Sequence, residues 1–104
     1  GEGATRDDHP DLANQLYAAY AHVQDVRALA AVIGEEELSA TDRRYVALGQ
    51  RFEETFVRQG LYEARSIEET LNLGWQVLGL LPRSELTRVS DRVLDRRYPR
   101  GTEG

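Results

Sequence analysis

Three consecutive glutamates, Glu35 to Glu37, form the densest group of chemically capable side chains in this sequence. They stand between Gly34, a residue type that often ends helices, and Ser39, whose hydroxyl can cap the first turn of a new helix. Asp42 would then occupy the third position of that helix. The stretch contains no nucleophile, no metal-ligand set and no phosphate-binding loop. We therefore predict a helix–turn–helix hairpin with an acidic tip that contacts another protein.

The three glutamates also fit a simpler explanation, a solvated turn that keeps the surface soluble. Exposed ion pairs contribute only ~0–1 kcal/mol each. We therefore expect the hairpin to act mainly through its shape and stiffness, while its charges adjust the fit to a partner.

A second charged group lies near the end of the chain, where arginines recur every four residues: Arg88, Arg92 and Arg96. This spacing predicts a basic ridge on one helix. Asp91 and Asp95 each follow an arginine by three residues, so local pairing with Arg88 and Arg92 on a solvated face is one explanation. Contact with an acidic neighbouring subunit is the other.

The remaining residues give no pattern that is typical of an enzyme. His9 and His22 are separated by thirteen positions and have no carboxylate pair at ligand spacing, which argues against a metal centre. Trp75 lies in an apolar helical pattern and is expected in the core. No group of residues offers a base, a nucleophile or a metal at suitable spacing.

Composition limits the classes of function. The 104 residues suffice for one domain with its own core. The net charge is −5, and it is uneven: residues 1–82 carry 7 Arg against 14 acids, whereas residues 83–104 carry 6 Arg against 4 acids. An acidic body argues against duplex nucleic acid as a partner. The absence of cysteine excludes disulfides and thiolate sites, and no apolar run approaches ~20 residues.

The sequence contains no methionine, so we expect it to be a piece of a longer protein. Residues 1–9 are polar and aperiodic, which is typical of a connector from a preceding domain. Residues 10–98 form the predicted helical domain, and residues 99–104 form a tail that we expect to be frayed.

The first helical pattern begins at Pro10, a residue well suited to a first helical turn. Its apolar positions are Leu12, Leu16, Tyr20 and Val23. The stripe continues to Ile33 at a shifted phase. The shift predicts a bend or restart near His22–Asp25, with Asp25 capping a second short helix.

Beyond the acidic turn, apolar residues at helical spacing predict another helix with the core face Tyr45, Leu48, Phe52 and Phe56. Gly60 would end it, before a loop from Leu61 to Arg65. Ser66–Glu69 is typical of a capping box that opens a helix around Trp75, and Ser90 can cap a last helix to about Tyr98. We expect an all-α bundle of five to six helices, three of them dominant.

Several segments together resemble a known family. The turn Gly34-Glu-Glu-Glu-Leu-Ser-Ala-Thr-Asp42 resembles the acidic "DELSEED" segment of rotary ATPase head subunits. Five further segments, in the family's order, resemble the end of the B subunit of A/V-type ATP synthases: Glu2-Gly-Ala-Thr-Arg-Asp-Asp-His9, Asn14-Gln-Leu-Tyr-Ala-Ala-Tyr-Ala21, Asp42-Arg-Arg-Tyr45, Arg65-Ser-Ile-Glu-Glu-Thr-Leu71 and Leu80-Leu-Pro-Arg-Ser-Glu-Leu86. The resemblance extends from about residue 1 to residue 98.

The resemblance implies the C-terminal helical domain of a non-catalytic, regulatory subunit. In that family the B subunit alternates with the catalytic A subunit in a hexameric head, and its C-terminal domain faces the central-stalk rotor and helps transmit torque. The nucleotide-binding domain lies upstream, so ATP or ADP contacts are expected there and no cofactor, metal or catalytic residue is expected in this chain. A phosphate-binding loop of the form G-x-x-x-x-G-K-[ST] is impossible without lysine.

The resemblance also implies the partners and the place of action. We expect contacts with the A subunit and the rotor subunits, no nucleic acid, no membrane insertion, and a cytoplasmic position peripheral to the membrane. The coupled ion, H⁺ or Na⁺, is not set by this domain. The expected partner-contact residues are Glu35, Glu36, Glu37, Leu38, Ser39 and Asp42, and Arg88, Arg92 and Arg96 are candidates for a subunit interface.

The turn departs from the F-type motif at Ala40-Thr41, where that motif has two further acids. Electrostatic contact at this tip is therefore expected to be weaker than in that motif. An alternative from a different class is a stand-alone helical adaptor whose acidic turn docks a basic partner.

Overall fold

The computed structural model describes residues 6–58 and 66–99, and these two stretches are helical without a strand. Four α-helices lie in these two stretches: α1 (His9–Ile33), α2 (Ala40–Phe52), α3 (Ile67–Leu78) and α4 (Asp91–Arg97). Glu35–Glu37 and Arg83–Glu85 form single 3₁₀ turns, and Glu53–Arg58 continues α2 as a π-helix. The all-α prediction is confirmed, with four α-helices and shorter helical segments where five to six helices were expected.

Helix α1 runs through 25 residues without interruption. The predicted bend near His22–Asp25, with a cap by Asp25, is therefore wrong. The apolar stripe shifts because α1 has two neighbours. Its first half meets α3, where a Cβ added at Gly74 would lie 3.1 Å from Leu12. Its second half meets α2, where a Cβ added at Gly49 would lie 2.6 Å from Val23.

Serine caps set the starts of three helices as predicted. Ser39 Oγ accepts a hydrogen bond from the Asp42 N–H at 3.1 Å, and Ser90 Oγ accepts one from Val93 at 3.3 Å. Ser66 and Glu69 form the complete reciprocal capping box. Each cap satisfies backbone N–H groups that the first helical turn leaves free. The predicted helix end at Gly60 and the loop Leu61–Arg65 lie outside the described residues.

The core lies where α1, α2 and α3 meet and is closed by the segment from Leu81 to Leu94. Trp75 is only 3% exposed, which confirms its predicted place in the core. The largest fully buried apolar side chains are Leu12, Leu48, Leu78, Leu81, Leu86, Val23 and Val77. Tyr98 ends α4 and donates its hydroxyl hydrogen to the Leu81 carbonyl oxygen at 2.8 Å, so the end of the domain is tied back to the core.

A buried carboxylate ties the segment before α1 to this core. Asp8 is fully buried, and its Oδ2 accepts a hydrogen bond from Trp75 Nε1 at 2.6 Å. Arg6 donates to both carboxylate oxygens, at 3.0 and 2.7 Å, and Arg97 Nε lies 3.8 Å away. Residues 6–8 therefore belong to the folded body, and whether residues 1–9 also lead in from another domain stays a prediction.

The ionisation of Asp8 depends on these donors. Burial alone raises the pKa of Asp8, but the hydrogen bonds from Arg6 and Trp75 outweigh it and lower the pKa to about 2. The charged form is thus the one that the fold stabilises. Because the folded pKa lies below the unfolded one, this contribution is present above pH ~4 and is lost as the pH falls towards 2.

We predict that Asp8→Asn lowers the free energy of unfolding by about 2 kcal/mol at neutral pH. The difference between the wild type and the variant should shrink as the pH falls from 4 to 2, because the wild type then loses the same charge. Urea unfolding at a series of pH values measures it. Asp25→Asn, at an exposed carboxylate on α1, is the matched control, and a difference that stays constant with pH contradicts the assignment.

We also predict that Gly49→Ala destabilises the protein, although alanine normally favours a helix by ~1 kcal/mol. The added Cβ would lie 2.6 Å from Val23 Cγ1 and 3.0 Å from an Arg27 nitrogen, and such overpacking typically costs about 1–3 kcal/mol. Thermal unfolding checks this. Gly49→Ala should cost less stability in a Val23→Ala background than in the wild type, because the crowded methyl group is then absent, although Val23→Ala is itself destabilising. Purely additive effects of the two changes would show that the contact is not the cause.

Candidate functional site

The hairpin tip is a tight reversal of the chain between α1 and α2. Gly34 has a φ of +95°, a backbone conformation that glycine adopts without the steric penalty of a Cβ. Its N–H donates to the Ala30 carbonyl at 2.8 Å, and α1 ends there as predicted. The next three residues, Glu35–Glu37, form one 3₁₀ turn. The acidic run thus lies between the two helices.

The structure places the six predicted contact residues in different settings. Glu35, Glu36 and Glu37 are all exposed, whereas Leu38 is only 5% exposed and belongs to the hydrophobic core. Ser39 is occupied as the cap of α2. Asp42 is half-buried, with Oδ1 3.6 Å from His22 Nε2. The glutamates are accessible to a partner, and Leu38 anchors the turn that carries them.

The negative charge of the tip is not neutralised within the described residues. No basic side chain in residues 6–58 or 66–99 forms an ion pair with Glu35, Glu36 or Glu37. Arg43 instead donates to the Glu36 carbonyl oxygen at 2.7 Å. That bond ties the turn to α2. A shallow cleft of about 350 Å³ lies beside it and is lined by Glu35, Glu36, Leu38, Arg43 and Val46.

A polar cluster, which we call the hairpin clamp, joins α1 to the end of α2: Tyr20, Arg27 and Glu53. Arg27 donates two hydrogen bonds to the Glu53 carboxylate, at 2.8 and 3.0 Å, and the Tyr20 hydroxyl donates a third. The hydrogen bonds from Arg27, which contribute most, and the hydrogen bond from Tyr20 lower the pKa of Glu53 to about 2. The carboxylate is therefore ionised at neutral pH, and its paired geometry with Arg27 fixes distance and angle.

Aromatic contacts surround the clamp and extend it. The Tyr20 and Phe52 rings lie 4.8 Å apart between centroids. Nearer the tip, His22 packs edge-on against Tyr45 at 4.4 Å. The Tyr45 hydroxyl donates to Glu85 at 2.8 Å, and burial raises the pKa of Tyr45, so it remains protonated. Contacts from α1, through α2, to the Arg83–Glu85 turn thus stiffen the hairpin along its length.

The arginines near the end of the chain do not form the expected ridge. Helix α4 begins at Asp91, so Arg88 lies in the turn before it, while Arg92 and Arg96 lie on the helix. The predicted pairing of Asp91 and Asp95 with Arg88 and Arg92 is wrong. Both aspartates face Arg83 instead, at 4.0 and 2.7 Å, because Arg83 comes back alongside α4 from the preceding 3₁₀ turn.

The three candidate interface arginines therefore differ in their surroundings. Arg96 forms an ion pair with Asp7, on the segment before α1. Arg88 and Arg92 are exposed and form no ion pair with any residue that the structure describes. A subunit interface at these positions stays a prediction, and Arg88 and Arg92 are the two whose charge is free for it.

Sequence reasoning missed the hairpin clamp and the Asp8 contacts. Arg27 and Glu53 are separated by 26 positions, and Asp8 and Trp75 by 67, so no local spacing connects them. The charge of Glu53 predicts a solvent-facing position, whereas the structure places it against α1. One feature of the sequence could have indicated the position of Glu53. It directly follows Phe52, a residue predicted on the core face of the same helix.

Two general features can be excluded for the described part of the chain. No group of three or more His, Cys, Asp or Glu side chains there is arranged to hold a metal ion. None of the helices described is both long and apolar enough to cross a membrane.

This sequence is similar to known proteins over nearly its whole length. Residues 1–98 match the family described as the C-terminal domain of V and A type ATP synthase. The B subunit of the A-type ATP synthase of Methanopyrus kandleri is 55% identical over 100 residues, which are 96% of this chain and 10% of that protein.

The corresponding proteins of Sulfurisphaera tokodaii and Sulfolobus acidocaldarius are 54% and 50% identical over 99 residues, which are 95% of this chain and 21% of each protein. The chain thus spans about a fifth or less of the length of these relatives. It belongs to the family of the C-terminal domain of V and A type ATP synthases and corresponds to that domain of the B subunit.

Proposed function

We propose that this chain is the rotor-facing C-terminal domain of the non-catalytic, regulatory B subunit of a V/A-type ATP synthase that translocates protons or sodium ions. In this role it contributes to assembly of the head and couples torque. The observation that carries the proposal is the α1–α2 hairpin, which presents an exposed acidic turn from a braced pair of helices. The similarity to B subunits over 95% or more of the chain supports it.

Transmission of torque requires a stiff hairpin. An element that transmits force must move as one body, because a flexible element bends instead of passing the movement on. Helix α1 is about 37 Å long at 1.5 Å per residue. It contacts α2 closely at Gly49, and the hairpin clamp adds three hydrogen bonds across the pair. The tip is therefore held by the core rather than by a flexible loop.

The parent protein supplies the rest of the function in this proposal. The catalytic A subunit and the central-stalk rotor are the partners, and nucleotide is held by domains outside this chain. The chain itself contributes no catalytic group, cofactor site or metal site, and it acts at the cytoplasmic face of the membrane as part of the peripheral head. Neither nucleic acid nor membrane insertion has a part in it.

The first test separates the shape of the tip from its charge. In the full-length protein, assembled in the complex, we expect Glu35→Ala, Glu36→Ala and Glu37→Ala combined to leave more than about half of the coupling, because exposed charges are individually weak. Replacing residues 29–44 by a short Gly-Ser linker should abolish coupling. The measurement is the number of ions pumped per ATP hydrolysed.

The control is the amount of assembled complex, which must equal that of the wild type. Full coupling after removal of the tip would overturn the proposed role. The parental gene offers an independent check, because a nucleotide-binding domain encoded upstream is expected for a B subunit. A complete reading frame that encodes only this domain would favour the adaptor instead.

The second test addresses the hairpin clamp. Glu53→Gln leaves the tip intact but removes the charge that Arg27 holds, and we expect the free energy of unfolding to fall by about 1 kcal/mol because the pair is partly solvated. Ion pumping per ATP should fall with it. Glu54→Gln, the exposed neighbour, is the matched control. Equal effects of the two changes on coupling would contradict a special role for the clamp.

A further inference from the structure

A second surface, away from the acidic tip, combines an exposed aromatic ring with a free cation. It is a cleft of about 530 Å³ between α1 and the turn before α4, and we call it the Tyr17–Arg88 cleft. Tyr17 is 82% exposed, which is unusual for so large an apolar ring. The methyl groups of Ala18 and Ala21 lie beside it. Tyrosine and arginine are the residue types most enriched, together with tryptophan, among those that dominate binding energies.

The position of Arg88 is fixed by side chains of α1. Its backbone N–H donates to Gln15 Oε1 at 2.7 Å, and Gln15 is only 3% exposed. Two residues later, the Ser90 N–H donates to Asp11 Oδ2 at 3.3 Å. A buried glutamine and a carboxylate thus hold the turn against α1. The backbone at Arg88 is therefore ordered before a partner binds, which lowers the entropy cost of binding.

The guanidinium of Arg88 has no carboxylate of its own among the described residues. Of the nearest acids in sequence, Glu85 accepts a hydrogen bond from the Tyr45 hydroxyl, and Asp91 and Asp95 are directed to Arg83. Asp11 accepts from the Ser90 N–H. Asp25 lines the far end of the cleft, two helical turns beyond Tyr17, or about 12 Å along α1. The cleft is therefore positive at the Arg88 end and negative at the Asp25 end.

We propose that the Tyr17–Arg88 cleft binds an acidic segment of another protein chain, whose carboxylate pairs with Arg88 while a neighbouring apolar side chain packs on Tyr17 and the two alanines. The charges at the two ends set the register, since a carboxylate near Asp25 would be repelled. This contact is separate from the tip and does not require the tip to face a rotor.

A photo-crosslinking experiment tests the surface directly. The full-length protein carries p-benzoylphenylalanine in place of Tyr17, a substitution that keeps an aromatic ring at an exposed position, and is purified within its assembled complex. Irradiation should link it to one neighbouring chain at a peptide that contains Asp or Glu. A matched probe at Ala47, exposed on α2, should not give the same product.

Charge variants then identify the role of Arg88. Arg88→Glu should lower the yield of the crosslink about tenfold, in line with loss of a dominant contact, and Arg88→Gln should give a smaller loss. Arg92→Glu, at an exposed arginine of α4 for which the structure shows no ion pair among the described residues, should leave the yield unchanged. Reversing the crosslinked acid to arginine should restore the yield with Arg88→Glu. Folding is checked by thermal unfolding, and the Gln15 bond survives because it uses the Arg88 backbone.

Three results would overturn the proposal: no crosslink within the intact complex, a linked peptide without a carboxylate, or a yield that does not respond to Arg88→Glu. Failure of the proposed rotor role would appear differently, as unchanged ion pumping after removal of the tip. The two proposals can therefore fail independently.

Discussion

The paired hydrogen bonds between Arg27 and Glu53 join the two helices on which the shape of the molecule depends. They lie where α2 changes into the π-helical segment Glu53–Arg58, a change that widens the backbone and redirects the side chains that follow. Without the Arg27 bonds, the end of α2 would be held to α1 only by the Tyr20 hydrogen bond to Glu53 and by apolar contacts, which do not fix orientation. The charged pair acts together with the close approach at Gly49 to specify one angle between the helices.

The end of the domain away from the hairpin tip is held together by a buried carboxylate. Asp8 is buried among Arg6, Trp75 and Arg97, so the segment before α1, the middle of α3 and the end of α4 converge on one carboxylate. A buried charge is costly unless its oxygens are satisfied. Here each oxygen accepts at least one hydrogen bond. The contacts therefore fix the base from which the hairpin extends.

Local features of the fold were predictable, and features that depend on distant residues were not. The caps at Ser39, Ser66 and Ser90 use bonds that span three residues, so the sequence pattern alone reveals them. The continuity of α1 was not visible, because its apolar stripe follows two different neighbours. The spacing of Arg88 predicts a helical ridge, although the cap predicted at Ser90 already places it outside that helix.

For the candidate site, the exposed acidic turn followed from sequence, whereas what stiffens it did not. The partners Tyr20, Arg27 and Glu53 come from two helices whose relative rotation is decided by the close approach at Gly49. No local pattern of residues measures that rotation. Membership of the family could be predicted from the sequence, because the resemblance rests on short segments in a fixed order.

The hairpin and the core are expected to move as one body. The chain has no cysteine, so spin labels can be placed at Glu36→Cys on the tip and Gln76→Cys on the exposed face of α3 without background. Pulsed electron–electron double resonance then measures the distance between them. A single narrow distribution is expected, and a broad or two-peaked distribution in the otherwise unaltered protein would contradict the account.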